Sequence, residues 1–174
     1  MSQHYPRSIY LVGFMGSGKS TVGKQLAALL HYDFIDLDEY LQQQEGTTIT
    51  QLFEEKGEAY FRERESEYLR RFDASKTQVV ATGGGTPCFW ENMEWMNQQG
   101  TTVYLKATPA LLANRLRNEQ SHRPLLRGKT GQEVFDYISG KLAEREKYYL
   151  SAKVITEAAS LTGRKLLGVL QQKA

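Results

Sequence analysis

The sequence is poor in cysteine, in charge of one sign and in long apolar runs, and each shortage excludes a class of protein. Its single cysteine, Cys88, has no partner for an intramolecular disulfide, so the expected setting is a reducing compartment. Lysine and arginine number 22 against 20 acidic residues, a net charge of +2. A broad nucleic-acid footprint demands a far larger basic excess. The longest apolar run, around Ile9 to Met15, falls well short of the ~20 residues that span a membrane. The opening residues carry His4, Pro6 and Arg7 and no apolar core, unlike a secretory signal. The three histidines, His4, His31 and His122, show no metal-ligand spacing. The expectation is a cytoplasmic protein with no nucleic-acid, membrane or obligate protein partner.

What is present is ordinary globular material: 174 residues, 40% hydrophobic and 24% charged, suited to one domain with one core. Ile9-Tyr10-Leu11-Val12 is apolar on both faces and ends at Gly13, as a buried parallel strand does. Val22, Leu26, Leu29 and Leu30 then fall at helical spacing. Further strands are expected at Phe34-Ile35, Gln78–Ala81, Thr102–Leu105 and Lys153–Thr156. Helical patterns lie between them, over Tyr40–Gln44, Phe61–Phe72, from Leu111 after Thr108-Pro109, over Val134–Leu150, and over Leu161–Leu170. Strands alternating with helices predict an α/β three-layer fold around a five-stranded parallel sheet. The polar, basic stretch His122–Gly131 predicts a loop of the kind that serves as a lid. Trp90, Trp95 and Met96 are expected to cover the core or the substrate region, and Cys88 to be a buried bystander.

Gly13-Phe14-Met15-Gly16-Ser17-Gly18-Lys19-Ser20 matches the eight-residue phosphate-loop pattern, with a strand before it and a helix after it. Glycines let successive N–H groups turn towards a phosphate, and a helix N-terminus adds positive potential there. Gly16, Ser17 and Gly18 would cradle the phosphates, Lys19 would reach the β- and γ-phosphates, and Ser20 would ligate Mg²⁺. Thr21 could donate to the α-phosphate. This motif predicts nucleotide binding and leaves the reaction open.

Other features are ambiguous alone. Asp36 and Asp38 point the same way at a strand's carboxyl end, where they suit Mg²⁺ and a substrate hydroxyl, or merely a helix start. Gly83-Gly84-Gly85 after the third strand permits close ligand approach. Arg62 and Arg64 cannot share a helix face, and alone they read as a solvated helix. Arg123, with Arg117 and Arg127 nearby, could close on a transferring phosphoryl group, or be an exposed basic loop. Arg145 and Tyr149 share a helix face.

Taken in order, these segments resemble the shikimate kinase family across nearly the whole chain: the loop Gly13–Gly23, Asp36-Leu37-Asp38, Gly57-Glu58 with Phe61-Arg62 and Glu65, Ala81–Gly85, Arg123-Pro124-Leu125-Leu126, and Arg145 with Tyr149. The resemblance implies a P-loop kinase fold, a substrate-binding helical part at about 36–72 and a lid at about 117–131. It implies ATP-dependent phosphorylation of the 3-hydroxyl of shikimate, with Mg²⁺. Arg62 and Arg145 would clamp the carboxylate, Asp38 would take hydrogen bonds from ring hydroxyls, and Gly83, Gly84 and Gly85 would donate from the backbone. Arg123 would be the lid arginine, Arg117 would meet adenine, and Asp36 would hold the Mg²⁺ hydration shell. Lys19, Asp38 and Arg123 would be the catalytic group. The chain departs from the family where Arg145 is followed by Glu146-Lys147-Tyr148 rather than proline, and the adenine-packing segment after the last strand has no assignable residue. A kinase for another small molecule, such as gluconate or a nucleotide, and a regulatory module without catalysis remain as alternatives.

Overall fold

The computed structural model describes residues 5–117 and 126–173. Within them five parallel strands form one sheet in the order β2-β3-β1-β4-β5. The strands are β1 (Ser8–Val12), β2 (Asp33–Asp36), β3 (Gln78–Ala81), β4 (Thr101–Lys106) and β5 (Val154–Glu157). The helices are α1 (Lys19–Leu30), α2 (Leu37–Glu45), α3 (Ile49–Arg70), α4 (Asn92–Gln99), α5 (Pro109–Leu116), α6 (Gly131–Tyr149) and α7 (Gly163–Lys173), with a 3₁₀ turn at Thr86–Cys88.

β1 is central and wholly buried, pairing Leu11 with Ala81 of β3 and with Val103 of β4. Its alternation sets the layers. Leu11 lies where a Cβ on Gly23 of α1 would come within 3.1 Å of it. Tyr10 points to the opposite face, edge-on to Trp95 of α4 at 6.0 Å. Val12 is in register with Tyr104, which stacks on Tyr149 of α6 at 5.1 Å. α1 and α7 therefore cover one face, with α4 and α6 across the sheet.

Helix starts follow the local chemistry. Thr48 with Gln51 and Thr130 with Glu133 form capping boxes at α3 and α6, and Thr108 caps α5 ahead of Pro109. Three differences from the sequence expectation have physical causes. α2 begins at Leu37 rather than Tyr40 because the Asp36 side chain caps it. α4 has no polar cap to announce it: its N-cap, Glu91, is left-handed and makes no side-chain cap bond. Trp90 does not cover the core, since it is 61% exposed on that same left-handed turn, whereas Met96 is fully buried.

α3 is broken at Gly57, where φ is 80° and ψ 171°, a region essentially closed to residues with a Cβ. The break lets the Ile49 turn and the Phe61–Arg70 segment follow different axes. Beyond the neighbouring backbone of its own helix, no atom lies within 4 Å of a Cβ added there, so the cost of a side chain is conformational. Gly57→Ala is therefore expected to lower stability by ~1–3 kcal/mol, read as a shift in the urea midpoint. An unchanged midpoint would show that residue 57 has no need of glycine.

Candidate active site

The carboxyl ends of β1, β2 and β3 open on one cavity of about 560 Å³, the place where parallel α/β sheets bind ligands. The loop after β1 forms its floor. Gly13, Gly16 and Gly18 have φ of 146°, 81° and 95°, and a Cβ on Gly13 would sit 2.9 Å from the Leu105 carbonyl. Ser17 N–H closes the turn onto the Phe14 carbonyl at 3.1 Å. The N-terminus of α1 follows at once. Lys19 is buried, and its ammonium donates to the carbonyls of Gly13 (2.7 Å) and Phe14 (2.9 Å). Its nitrogen is thus held over the loop, while Thr21 stands exposed on the cavity rim.

Asp36 does two things with one carboxylate. Oδ1 accepts from the N–H groups of Asp38 (3.1 Å) and Glu39 (3.3 Å), and Oδ2 accepts from the Ser20 hydroxyl at 2.5 Å. The helix-start reading and the ligand reading of Asp36 are therefore compatible. Ser20 and Asp36 present hard oxygen donors side by side, a set that fits Mg²⁺ sharing its shell with water and phosphate oxygens. Among the described residues no cluster of three or more His, Cys, Asp or Glu could hold a metal by protein ligands alone.

Behind the floor lie charges of both signs. Glu65, 1% exposed, accepts from Arg62 Nη1 at 2.9 Å and from the Thr86 hydroxyl at 2.8 Å. Arg62 is 8% exposed, its guanidinium 4.4 Å from the Phe89 ring centroid and 5.0 Å from that of Phe61. Arg64 turns away to Glu67. The glycine triplet makes room for these groups. A Cβ on Gly85 would lie 2.5 Å from Arg62 Nη2, one on Gly84 3.4 Å from Arg145 Nη1, and one on Gly83 2.9 Å from Asp38 Oδ1. The Tyr149 hydroxyl donates to the Gly84 carbonyl. Gly84, Thr82 and Asp38 line the cavity, with Arg62 and Arg145 immediately behind the triplet. The structure thus gathers every described residue assigned to the acceptor around one turn.

Arg117 is the exposed C-cap of α5, and Arg123 lies outside the described residues. Arg115, to which no role was assigned from the sequence, lines the cavity with Ala158 and Leu161. It donates to the carbonyls of Gly16 (3.0 Å) and Ala158 (3.2 Å), so it ties the phosphate loop to the segment after β5. No local signal distinguishes it from Arg117; its partners are distant in sequence. Cys88 is half-buried within electrostatic reach of Arg145 and Arg62, and burial pushes its thiol up to about 11. That leaves it protonated and a poor nucleophile.

Asp38 carries a displaced acid at the cavity. Burial, then the charges of Glu65 and Asp36, push its carboxyl up to about 6 against the pull of Lys19 and Arg62. The folded state therefore holds this proton more tightly than the unfolded chain. Stability from this group falls as pH rises from about 4 to about 6, and the deficit is complete above it. Asp38→Asn is expected to raise the melting temperature at pH 7.5, with a smaller gain at pH 5. An equal gain at both pH values would show that the carboxyl is not displaced.

A family model for shikimate kinase matches residues 15–171. The curated shikimate kinase of Bacteroides fragilis is 46% identical over 156 residues, spanning 90% of this chain and 87% of that protein. The crystal structure of shikimate kinase from Bacteroides thetaiotaomicron has a TM-score of 0.87 at 41% identity, covering 97% of this chain and 96% of its own. That of shikimate kinase from Acinetobacter baumannii in complex with shikimate has a TM-score of 0.84 at 36% identity, covering 98% and 94%. With phosphate loop, paired aspartates and glycine triplet disposed as described, a match of this length and identity means that the chain belongs to the shikimate kinase family.

Proposed function

We propose that this protein transfers the γ-phosphoryl group of ATP to the 3-hydroxyl of shikimate, giving shikimate 3-phosphate and ADP, a step towards chorismate. The observation that supports it most is the pair Arg62 and Arg145 laid against Gly84 and Gly85 beside Asp38. A phosphate loop serves any nucleotide kinase. Two guanidiniums next to one carboxylate suit an acceptor with one carboxylate and several hydroxyls.

The roles follow from position. The loop amides and the α1 N-terminus would hold the phosphates, with Lys19 swinging from the Gly13 and Phe14 carbonyls to the β- and γ-phosphates. Ser20 and Asp36 would hold Mg²⁺, which when bound neutralises charge on those phosphates. The base would lie at the Arg115–Ala158–Leu161 end, with Arg117 two residues further on. Arg123, in the proposed lid at about 117–131, would meet charge on the transferring group. The helical part at about 36–72 would carry the acceptor, with Arg62 and Arg145 on its carboxylate and Gly83, Gly84 and Gly85 offering backbone donors. The attacking hydroxyl oxygen forms a bond to the γ-phosphorus as the bond to the β-bridging oxygen breaks. Its proton passes to Asp38 or to water. Phosphoryl transfer asks mainly for positioning and charge stabilisation, so a carboxylate of modest basicity is enough.

The test is ADP release from Mg-ATP with shikimate, quinate, gluconate or no acceptor. Turnover dependent on shikimate is expected. Turnover with gluconate instead would move the assignment to another small-molecule kinase, and ATP binding without turnover would favour the regulatory module. Because Asp38 must be ionised to take up the proton of the attacking hydroxyl, kcat/KM for shikimate is expected to rise as pH increases through about 6. A flat profile between pH 5 and 8 would remove Asp38 from that step. Arg62→Lys keeps a cation beside Glu65 but loses the fork. It is expected to raise KM for shikimate roughly tenfold with KM for ATP unchanged; equal effects on both would contradict the carboxylate role.

A further inference from the structure

The loop joining the glycine triplet to α4 holds the acceptor wall, and its shape is unusual. Trp90 and Glu91 have φ of 51° and 55°, two successive left-handed residues that each carry a Cβ, an arrangement disfavoured by sterics. Phe89, immediately before them, lies on the Arg62 guanidinium at 4.4 Å. A strained turn persists only when its surroundings over-determine it.

The surroundings are one exposed arginine and two buried polar side chains. Arg70, at the end of α3, donates through Nη2 to the Trp90 carbonyl at 2.7 Å and through Nη1 to Asn92 Oδ1 at 2.5 Å. It also donates to the Ser66 hydroxyl and lies 5.6 Å from the Trp95 ring centroid. Asn92 is fully buried. Its Oδ1 also accepts from the Ser66 hydroxyl at 2.8 Å, and its amide donates to the Thr86 carbonyl at 2.9 Å. Thr86 in turn donates to Glu65, the partner of Arg62. The loop is thus fastened at both ends to α3, by Glu65 at Thr86 and by Arg70 at Trp90.

We propose that Arg70 is a positioning residue for the acceptor: by holding the Trp90 carbonyl and Asn92, it fixes the 86–92 loop in the shape that places Phe89 on Arg62. Arg70 is not among the residues that line the cavity. Its effect passes through Phe89 and Thr86 to the Arg62–Glu65 pair, and the inference rests on the carboxylate role given to Arg62 above. Without Arg70 the turn relaxes towards unstrained backbone, the Arg62 side chain gains freedom, and carboxylate binding weakens while the phosphate loop is untouched.

The experiment compares wild type, Arg70→Met, Arg70→Lys and the double variant Arg70→Met/Trp90→Gly. It reads steady-state kinetics together with the rate at which Ellman's reagent modifies Cys88, the only cysteine in the chain and a member of the same loop. Arg70→Met is expected to raise KM for shikimate roughly tenfold, leave kcat and KM for ATP within about twofold, and speed Cys88 modification several-fold. Arg70→Lys, which keeps the charge with a single donor group, shows the same changes in smaller degree and serves if the Met variant does not fold. Trp90→Gly removes the Trp90 share of the turn's steric cost and leaves that of Glu91, so the double variant recovers part of the lost shikimate affinity. An unchanged shikimate KM and Cys88 rate in the Arg70 variants would overturn the proposal, as would a parallel rise in both KM values or a double variant no better than Arg70→Met. If wild type shows no turnover with shikimate, the functional reading fails, and the Cys88 rates alone decide whether Arg70 holds the loop.

Discussion

Glu65 is a carboxylate with almost no access to water, and that condition organises the acceptor side of the molecule. Burial pushes its carboxyl up, and Arg62 most strongly pulls it back. Breaking such a buried pair by removing one partner costs ~3–5 kcal/mol. α3, the glycine triplet and the turn that follows it must therefore keep the one arrangement in which Arg62 at 2.9 Å and the Thr86 hydroxyl at 2.8 Å both reach it. A guanidinium aimed by a buried carboxylate and flanked by Phe61 and Phe89 has few conformations left to lose when a ligand arrives. In the proposed carboxylate role of Arg62, that saving in side-chain entropy would add to the attraction of charge.

The glycines complete the arrangement through the space they leave. At Gly85 and Gly83 a methyl group would fall inside the contact distance of Arg62 and Asp38. Backbone and side-chain charges can then approach from opposite sides of one strand end. The same logic holds across the sheet, where Gly163 of α7 packs so closely on Gln25 and Leu26 of α1 that a Cβ would come within 2.5 Å. Missing side chains thus set both the spacing of the layers and the depth of the pocket.

How much of this was legible in the sequence depends on whether the causes were local. β1 and β3 are short apolar runs that end in glycine, and the phosphate loop between β1 and α1 is a fixed pattern, so each could be read without the fold. The Thr108-Pro109 start of α5 was legible for the same reason. α4 was not, because its cap is a left-handed Glu91 held by tertiary contacts rather than by its own side chain. Arg115 was not, because the carbonyls it joins, Gly16 and Ala158, are distant in the chain. Arg62 and Arg145 looked like helix-surface cations until the family resemblance grouped them. The burial of Arg62 and the partial burial of Arg145 beside the triplet are facts of packing, which spacing alone does not encode.

The shared carboxylate of Asp36 has a consequence of its own. One of its oxygens anchors the first turn of α2 and the other meets Ser20 at the phosphate loop. A force on the second oxygen is therefore transmitted, through a rigid planar group, to the turn that carries Asp38. If Ser20 and Asp38 serve phosphate-bound Mg²⁺ and acceptor as proposed, a change at the Ser20 hydroxyl would alter the free energy of presenting Asp38, and by reciprocity an occupant beside Asp38 would alter affinity at Ser20. A single side chain would then link the two halves of the cavity thermodynamically.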